Sequence, residues 1–363
     1  MKDSQIAAVT ATNEAYVIAT GVMIASLVEN LRPSATLQLF VLIEDLPLKS
    51  KTIIEKICAS PRITLHWTHV DATPIRETIQ PKDPSESIEA YFRLLIGDLL
   101  PIDLNKIIYL DADVLVLGDL WELWEQQLDD NIVLAVPDCT MQTIRSALRA
   151  VPEDLKLTGE EPYFNSGVLL IDLAVWRSED IGLKALKTSR RLRRMSRFRD
   201  QDSLNVVLDS RWGRLKPEWN SFTRLRLFPT WRATPYDRNE FVKALSAPKI
   251  IHFETSLKPW HDERDPSDEY VVRFFHYFRR IDWLGQESLR MPGRRKIGGF
   301  FVRSNRRAVH LFAAAWHAIA ANRPATPFVL PVLKNFIQYP WTIFELILVF
   351  ARDLRERHWI QKN

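Results

Sequence analysis

The sequence predicts an α/β protein with a mostly parallel sheet flanked by helices. Apolar runs of strand length alternate with stretches of helical periodicity through the N-terminal two thirds of the chain. In such a sheet, ligands are expected beyond the carboxyl ends of the strands. With 363 residues, of which 46% are hydrophobic and 26% charged, the chain has ordinary globular composition and room for one large domain with an appendage, or for two domains.

The predicted elements follow one another in a regular order. The first part of the chain has predicted strands at residues 5–10, 37–43 and 63–70, and predicted helices at 16–30, 49–59 and 85–100. It is followed by a strand that runs from 106 into Asp111, a helix at 119–126, a strand at 132–136, a strand after Gly167, helices at 187–199 and from 200 onward, and a short strand at 249–251. No Gly-x-Gly-x-x-Gly motif follows the first strand, so the usual dinucleotide fingerprint is absent.

Composition also restricts the compartment. Only two cysteines occur, Cys58 and Cys139, so neither a disulfide framework nor a cysteine-based zinc site is expected. The N-terminus lacks the apolar core and cleavage pattern of a signal peptide, and no apolar run reaches the roughly 18 residues of a spanning helix. We therefore expect a cytoplasmic protein, peripheral on the inner face of the cytoplasmic membrane.

The membrane part of this expectation comes from the C-terminal region. After Ile281 there are thirteen Lys/Arg against five Asp/Glu, whereas the formal net charge of the whole chain is only +4. We divide the chain into a catalytic domain over residues 1–280 and a basic, aromatic, mainly helical region over 281–363. Apolar helical faces flanked by arginine suit an anionic bilayer, at about 1 kcal/mol per basic residue. Packing on the body or a dimer contact are the alternatives, and nucleic acid is disfavoured because the aromatic residues lie in apolar runs.

Two aspartates at a strand end are the first candidate site. Asp111 and Asp113 are one residue apart, and in an extended chain alternate side chains point the same way. Paired carboxylates at one spot suit a cation such as Mg²⁺ or Mn²⁺, although an Asp-x-Asp triplet often marks only a turn. A second such pair, Asp200 and Asp202, opens a helix, whose periodicity separates the two carboxylates.

Four further residues are candidates, each with a structural alternative. Arg93 lies in an amphipathic segment and fits either anion binding or a surface salt bridge. Asn165 lies in a polar Phe-Asn-Ser-Gly turn that can place donors in a cleft or simply turn the chain. Asp200 can serve as a helix N-cap. His252 ends a strand and is placed to be a third metal ligand, or to be a hydrogen-bonded structural histidine.

Five motifs in order carry a family resemblance. They are Tyr-Phe-Arg at 91–93, Tyr-Leu-Asp-Ala-Asp-Val at 109–114, Phe-Asn-Ser-Gly-Val at 164–168, Asp-Gln-Asp-Ser-Leu-Asn at 200–205 and His-Phe-Glu-Thr-Ser-Leu-Lys-Pro-Trp at 252–260. Together they resemble glycosyltransferase family 8, which includes bacterial lipopolysaccharide galactosyl- and glucosyltransferases and glycogenin. The resemblance covers residues 6–261 and implies a GT-A fold, a Rossmann-like nucleotide-diphospho-sugar transferase sheet, here with a helical C-terminal extension. It also implies retaining transfer of galactose or glucose from a UDP-sugar, with Mn²⁺ or, as the alternative, Mg²⁺.

The resemblance implies roles for particular residues. The metal ligands would be Asp111, Asp113 and His252, and Lys258 would contact the diphosphate. Hydroxyls of the donor sugar would be held by Arg93, Asp138, Asn165 and Asp200. The nucleotide side would include Asn13, Glu14, Tyr16, Asp111 and Ala112. Asp200 and Gln201 would lie at the breaking bond.

Retention of configuration normally requires a carboxylate beneath the anomeric carbon if the reaction is a double displacement. We expect front-face attack instead, with Gln201 steadying the cation-like sugar, and a covalent Asp200 intermediate as the rival. The chain departs from the family at two places. Asn13 and Glu14 replace an acidic pair near the first strand, and Thr255 replaces a glycine near the phosphates.

The predicted function is a membrane-associated hexosyltransferase that extends a glycan or glycolipid, as in lipopolysaccharide or cell-surface polysaccharide synthesis. UDP-galactose and UDP-glucose are both open as donors, and no nucleic-acid partner is expected. Two alternatives remain: a glycogenin-like enzyme that glucosylates itself, and a UDP-sugar-binding scaffold without turnover.

Overall fold

The computed structural model describes residues 5–80, 87–255, 258–260 and 268–283. A seven-stranded sheet has the strand order β3-β2-β1-β4-β7-β6-β8, and a three-stranded sheet has the order β5-β10-β9. The strands are β1 Gln5–Ala11, β2 Thr36–Ile43, β3 Ile63–His69, β4 Lys106–Leu110, β5 Val114–Val116, β6 Val133–Pro137, β7 Phe164–Asp172, β8 Trp212–Arg214, β9 Ser221–Phe222 and β10 Ile250–His252. In the large sheet only β7 runs against its neighbours, β4 and β6, so the predicted mostly parallel sheet is confirmed.

Helices cover the sheet and fill the connections. They are α1 Val17–Asn30, α2 Leu48–Ile57, α3 Thr73–Ile79, α4 Ile96–Leu99, α5 Leu120–Trp124, α6 Ile144–Ala147, α7 Leu173–Ser178, α8 Ile181–Leu192, α9 Asp200–Leu208, α10 Arg238–Ser246 and α11 Glu269–Phe278. Short 3₁₀ helices lie at Glu14–Tyr16, Glu89–Leu95, Glu153–Leu155, Pro217–Asn220, Thr223–Leu227 and Trp231–Ala233. None of the helices in the described ranges is long and apolar enough to cross a bilayer.

Burial on both faces explains the apolar strands. Along β1, Ile6 and Ala8 belong to the hydrophobic core on one face of the sheet, and Ala7 and Val9 belong to the core on the other. Successive residues of a strand point to opposite faces, so a strand covered on both sides must be apolar at consecutive positions. This burial fixes the register in which β1 pairs with β2 and β4.

The small sheet joins distant parts of the chain. Ile251 of β10 pairs with Leu115 of β5 in antiparallel register, and with Ser221 of β9 in parallel register. His252 at the end of β10 therefore lies opposite Val114, next to the turn that connects β4 to β5. This pairing places residue 252 beside the carboxylates of residues 111 and 113.

Two predicted helices differ from the structure. The predicted helix at 85–100 is a 3₁₀ helix, Glu89–Leu95, followed by α4. Arg93 donates Nε to the carbonyl of Ala90, which ties the side chain to the tighter turn. The predicted helix at 187–199 begins earlier and ends at Leu192, and farther on the backbone N–H groups of residues 197 and 198 donate to the Asp202 side chain instead of to a helix.

The predicted boundary at residues 280/281 stays a prediction, because residues 284–363 lie outside the described residues. Trp283 packs on the body: it lies against Phe278, and its ring contacts the position that a Cβ on Gly21 of α1 would take. Cys58 and Cys139 are buried free thiols, as the sequence predicts.

Candidate active site

Two carboxylates and an imidazole meet where the two sheets adjoin. Asp111 follows β4, Asp113 precedes β5 and His252 ends β10. Each offers a ligand atom, and these atoms all lie within 4.8 Å of one another. His252 Nε2 is 3.3 Å from Asp113 Oδ1 and 3.7 Å from Asp111 Oδ2. The structure thus brings together the three predicted metal ligands.

Asp111 is oriented by its other oxygen. Oδ1 accepts hydrogen bonds from Arg93 Nη2 at 2.7 Å and from the Tyr109 hydroxyl at 3.0 Å. The Arg93 guanidinium also donates Nη1 to the carbonyl of Ser166 at 2.6 Å and lies over the Tyr109 ring, with Cζ 4.4 Å from the ring centroid. These contacts leave Asp111 Oδ2 on the side of His252. Arg93 is buried rather than part of a surface salt bridge.

Lys258 and His252 decide the charge state of Asp113. Burial alone would raise the pKa of Asp113, but the cationic Lys258 and His252 outweigh it and hold that pKa well below its usual range. Lys258 donates Nζ to Asp113 Oδ2 at 2.5 Å and to the carbonyl of Phe253 at 2.6 Å. Burial lowers the pKa values of Lys258 and His252, but Asp113 raises both above their ordinary values. Asp113 is therefore an anion at neutral pH.

Asp200 and Asp202 point in different directions, as the helical spacing predicts. Asp200 Oδ2 lies 2.9 Å from Arg93 Nε but has no hydrogen bond with correct geometry within the described part of the chain. Burial, only partly opposed by Arg93, raises the pKa of Asp200 to about 6. The predicted N-cap alternative for Asp200 is wrong, because Arg199 occupies the cap position and Asp200 is the first helical residue.

Asp202 instead holds the loop that leads into α9. Its Oδ2 accepts from the Ser196 hydroxyl at 2.6 Å and from the N–H groups of Arg197 and Phe198, both at 2.8 Å. Its Oδ1 accepts from the Tyr163 hydroxyl at 2.6 Å. Asp202 therefore serves structure rather than chelation.

Gln201 is held by the Phe-Asn-Ser-Gly segment. The predicted turn is wrong here, because these residues are the first four of strand β7. Oε1 of Gln201 accepts from the N–H of Ser166 at 3.0 Å, and its Nε2 donates to the Tyr163 hydroxyl at 3.1 Å. Ser166 also binds Arg93, so the start of β7 fixes both Gln201 and Arg93.

Asp138 and Asn165 are buried residues that already make structural contacts. Asp138 Oδ1 accepts from the N–H groups of Thr140 and Met141, at 2.8 and 2.9 Å. Asn165 Oδ1 accepts from the N–H of Gly167 at 3.0 Å, and no described residue accepts from its amide NH₂. Each side chain therefore keeps polar atoms that do not take part in these contacts.

The predicted nucleotide-side residues follow β1 and the metal-site turn. Asn13 caps a 3₁₀ helix through the N–H of Tyr16, and Glu14 accepts from the Ser50 hydroxyl at 2.7 Å. Tyr16 packs edge-on against Trp260, and burial raises the pKa of its hydroxyl. Ala112 is buried between the two aspartates. Glu14 is exposed, and its hydrogen bond is to Ser50 in α2. Of the predicted nucleotide-side residues, it has the least contact with the two aspartates.

Sequence reasoning missed several buried partners of this site. His252 Nδ1 lies 3.0 Å from Asn220 Oδ1, and Asn220 Nδ2 donates to Asn165 Oδ1 at 2.9 Å. Glu254 accepts from Arg224 Nε at 2.8 Å, and both side chains are largely buried. Burial would raise the pKa of Glu254, but Arg224 outweighs it and lowers that pKa. The motif Pro-Glu-Trp-Asn at 217–220 carries no periodicity that would have marked Asn220.

Gly167 is required by close approach. A Cβ at this position would lie 2.3 Å from His252 Cε1 and 2.9 Å from Asp111 Oδ2. Only a residue without a side chain allows the strand β7 to come this near to the carboxylate and the imidazole. The glycine of the Phe-Asn-Ser-Gly segment thus contributes space.

The donor set fits a divalent ion. Two carboxylates and one imidazole are ligands that Mn²⁺ accepts readily, and Mg²⁺ less so. The hydrogen bond at His252 Nδ1 leaves Nε2 on the side of the two carboxylates. Solvent compensates the negative charge of the two aspartates only weakly, because His252 is buried and both aspartates are largely enclosed.

Comparison with known proteins agrees with this geometry. Residues 8–264 match the sequence model described as Glycosyl transferase family 8. General stress protein A of Bacillus subtilis is 26% identical over 285 residues, covering 78% of this chain and 96% of that protein. Lipopolysaccharide 1,2-glucosyltransferase of Escherichia coli K12 is 30% identical over 172 residues, covering 47% of this chain and only 48% of that protein.

A solved structure shows the same fold. The galactosyltransferase LgtC, in complex with donor and acceptor sugar analogues, matches with a TM-score of 0.64 at 23% identity, covering 76% of this chain and 96% of that chain. The fold is therefore GT-A. Since the family match spans most of the chain and includes every motif described above, the protein belongs to glycosyltransferase family 8 and is a glycosyltransferase.

Proposed function

We propose that the protein is a retaining hexosyltransferase that moves galactose or glucose from a UDP-sugar to a glycan or glycolipid, with Mn²⁺ as the preferred ion and Mg²⁺ as a substitute. The observation that carries the proposal is the cluster of Asp111, Asp113 and His252, with the ion pair of Arg93 and Asp200 beside it. Family membership supplies the reaction class, and the donor set supplies the cofactor class.

A divalent ion at Asp111, Asp113 and His252 would neutralise charge on the departing diphosphate. Lys258 adds a cation to the same place, since its Nζ lies against Asp113 Oδ2. Tyr16 and Asn13 border this region and are proposed to contact the nucleotide, with Glu14 and Ala112 at its edge. The leaving group is thus stabilised mainly by groups that are positioned before the donor binds.

The donor sugar is proposed to lie over Arg93, Asp138, Asn165 and Asp200. The Asp200 carboxylate has an oxygen without a hydrogen-bond partner in the described chain. Buried polar atoms of this kind are satisfied when a ligand supplies hydroxyl groups. Gln201, fixed by Ser166, is proposed to lie beside the anomeric carbon.

Front-face attack is the proposed route to retention. The departing phosphate oxygen accepts the proton of the acceptor hydroxyl, and Gln201 steadies the positive charge on the sugar. Asp200 is a poor nucleophile in this geometry, because it is paired with Arg93 and buried. Mass spectrometry of enzyme quenched during turnover tests this route: a glycosylated Asp200 peptide would establish the double displacement instead.

The proposed setting is lipopolysaccharide or cell-surface polysaccharide synthesis on the cytoplasmic face of a membrane. Its support is the similarity to lipopolysaccharide glucosyl- and galactosyltransferases and the basic, aromatic composition of residues 281–363. The full chain should sediment with vesicles that contain anionic lipid, and a chain without residues 285–363 should not. Equal sedimentation of both proteins would remove the anchor from the proposal.

Release of UDP tests the activity. The purified protein is supplied with UDP-galactose or UDP-glucose and with Mn²⁺ or a chelator, beside the variants Asp113→Asn and Asp209→Asn. Asp209 is an exposed residue after α9 and serves as the control. UDP release that needs the ion and is lost only in Asp113→Asn supports the transferase. Donor binding without release in every condition would favour the scaffold, and labelling of the protein itself would favour the glycogenin-like enzyme.

A further inference from the structure

Asn220 connects the imidazole of the candidate metal site to a backbone donor. It ends the 3₁₀ helix Pro217–Asn220 and is completely buried. Its two side-chain atoms face two different partners: Oδ1 lies 3.0 Å from His252 Nδ1, and Nδ2 lies 2.9 Å from Asn165 Oδ1. Asn165 Oδ1 in turn lies 3.0 Å from the N–H of Gly167.

The direction of this chain of hydrogen bonds is determined at its Gly167 end. A backbone N–H can only donate, so the atom of Asn165 that faces Gly167 must be the carbonyl oxygen. That oxygen can only accept, so the atom of Asn220 that faces it must be the amide nitrogen. The oxygen of Asn220 is thereby turned toward His252.

A carbonyl oxygen facing His252 Nδ1 requires a hydrogen on that nitrogen. The neutral ring then carries its proton on Nδ1 and its lone pair on Nε2. Nε2 is the atom that lies 3.3 Å from Asp113 Oδ1 and 3.7 Å from Asp111 Oδ2. The Asn220 contact therefore selects the tautomer that can bind a metal ion on the side of the two aspartates.

We propose that Asn220 is a positioning residue that fixes the tautomer and the ring orientation of His252 for metal binding. The proposal rests on the metal site put forward in the proposed function. It adds a positioning residue to the site, and it gives the start of β7 a further role, because Asn165 and Gly167 set the direction of the Asn220 amide. Metal-bound histidines elsewhere depend on such partners, whose loss weakens metal binding by about 10–100-fold.

A spectroscopic measurement on the unmodified protein tests the tautomer. The protein is labelled with ¹⁵N-histidine, freed of metal, and brought to a pH at which the His252 ring is neutral; its signals are assigned by their loss in His252→Gln. We expect the ¹⁵N shifts of a protonated Nδ1 and an unprotonated Nε2. A ring protonated on Nε2 would overturn the proposal without any variant of Asn220.

A pair of neighbouring variants tests the effect on the ion. Asn220→Leu removes both hydrogen bonds and keeps the branched arrangement of side-chain heavy atoms. Ser221→Ala, at the adjacent residue, is the control. It removes a buried hydrogen bond of 2.7 Å from the Ser221 hydroxyl to the carbonyl of Ala244, and that hydrogen bond does not involve His252. Mn²⁺ binding is measured by electron paramagnetic resonance in the absence of donor, and folding is checked by thermal unfolding with chelator present.

We expect Asn220→Leu to bind Mn²⁺ about 10–100-fold more weakly than the unmodified protein, and Ser221→Ala to bind it equally well. Asn220→Asp keeps an acceptor toward Nδ1 but turns a second acceptor toward Asn165 Oδ1, so it should recover only part of the lost affinity. Equal Mn²⁺ affinity in Asn220→Leu and the unmodified protein would refute the positioning role alone. Absence of Mn²⁺ binding in the unmodified protein would refute the metal site itself, so the two failures are distinguishable.

Discussion

Arg93 and Asp200 form an ion pair that is closed to solvent: Arg93 Nε lies 2.9 Å from Asp200 Oδ2, and the two side chains are 5% and 6% exposed. The same guanidinium donates to Asp111 at 2.7 Å. One cation therefore compensates two carboxylates, one from each Asp-x-Asp motif. Two otherwise separate parts of the site depend on a single side chain.

Loss of this cation should unfold the protein more readily. Arg93→Met leaves two largely buried carboxylates without their partner, and we expect the free energy of unfolding to fall by about 3–5 kcal/mol in urea denaturation. Arg76→Met is the matched control, because its ion pair with Glu44 is much more exposed, and it should cost less than about 1 kcal/mol. Equal losses in the two variants would show that Arg93 does not hold the site together.

Asp200 should make stability depend on pH. Its pKa is about 6 in the folded protein, above the roughly 3.9 of an unfolded aspartate. The folded state therefore binds more protons than the unfolded state between these pH values. The stability that Asp200 contributes is complete below about pH 4 and is lost as the pH rises through 6, by up to about 3 kcal/mol.

Asp200→Asn removes this dependence. The stability of the variant relative to the unmodified protein should improve between pH 4 and pH 8, by up to about 3 kcal/mol in chemical denaturation at each pH. Asp209→Asn, an exposed position, should show the same difference from the unmodified protein at both pH values. A difference for Asp200→Asn that does not change with pH would contradict the raised pKa.

Asp202 should matter for the loop that precedes α9. In Asp202→Ala the N–H groups of Arg197 and Phe198 lose the carboxylate oxygen that accepts from them. We expect a loss of about 1–3 kcal/mol for each buried donor left without a partner, measured by urea denaturation. Proteolysis of the loop should also become faster. An unchanged unfolding midpoint would mean that the loop is held by other contacts.

Gly167→Ala should impair the metal site. The new Cβ would collide with His252 Cε1 at 2.3 Å, so the imidazole or the strand must move. We expect Mn²⁺ affinity to fall by at least about tenfold, as when a ligand loses its supporting contacts. Gly97→Ala, in α4, meets its nearest atom at 3.1 Å, and calorimetric titration should show Mn²⁺ binding unchanged. Normal Mn²⁺ binding by Gly167→Ala would show that the ring has room to shift.

Most strands of the large sheet could be predicted because their sequence signal is local, whereas β8, with only three residues, was missed. Strands such as β2 and helices such as α1 lie within one or two residues of their predicted bounds, since period and burial determine both. The small sheet could not be predicted in this way. Strands β5 and β9 have three and two residues, and their pairing with β10 depends on contacts between distant segments.

The same distinction between local and long-range information applies to the residues of the candidate site. The sequence predicts that Asp111 and Asp113 lie together and that Asp200 and Asp202 lie apart, and the structure has both arrangements. The extended chain expected at residues 111–113 is wrong, because these residues form the turn between β4 and β5. The supporting residues had no such signal. In the sequence, Asn220 is one polar residue among several in an irregular segment. Only the folded structure shows that it contacts His252.

The division of the ion's ligands between two sheets has a consequence for synthesis of the protein. Asp111 and Asp113 leave the ribosome about 140 residues before His252, and the strand that carries His252 completes the small sheet by pairing with β5. A nascent chain that ends before residue 252 has the two carboxylates but neither the imidazole nor Lys258. The proposed metal site would therefore be complete only after residue 252 has been synthesised.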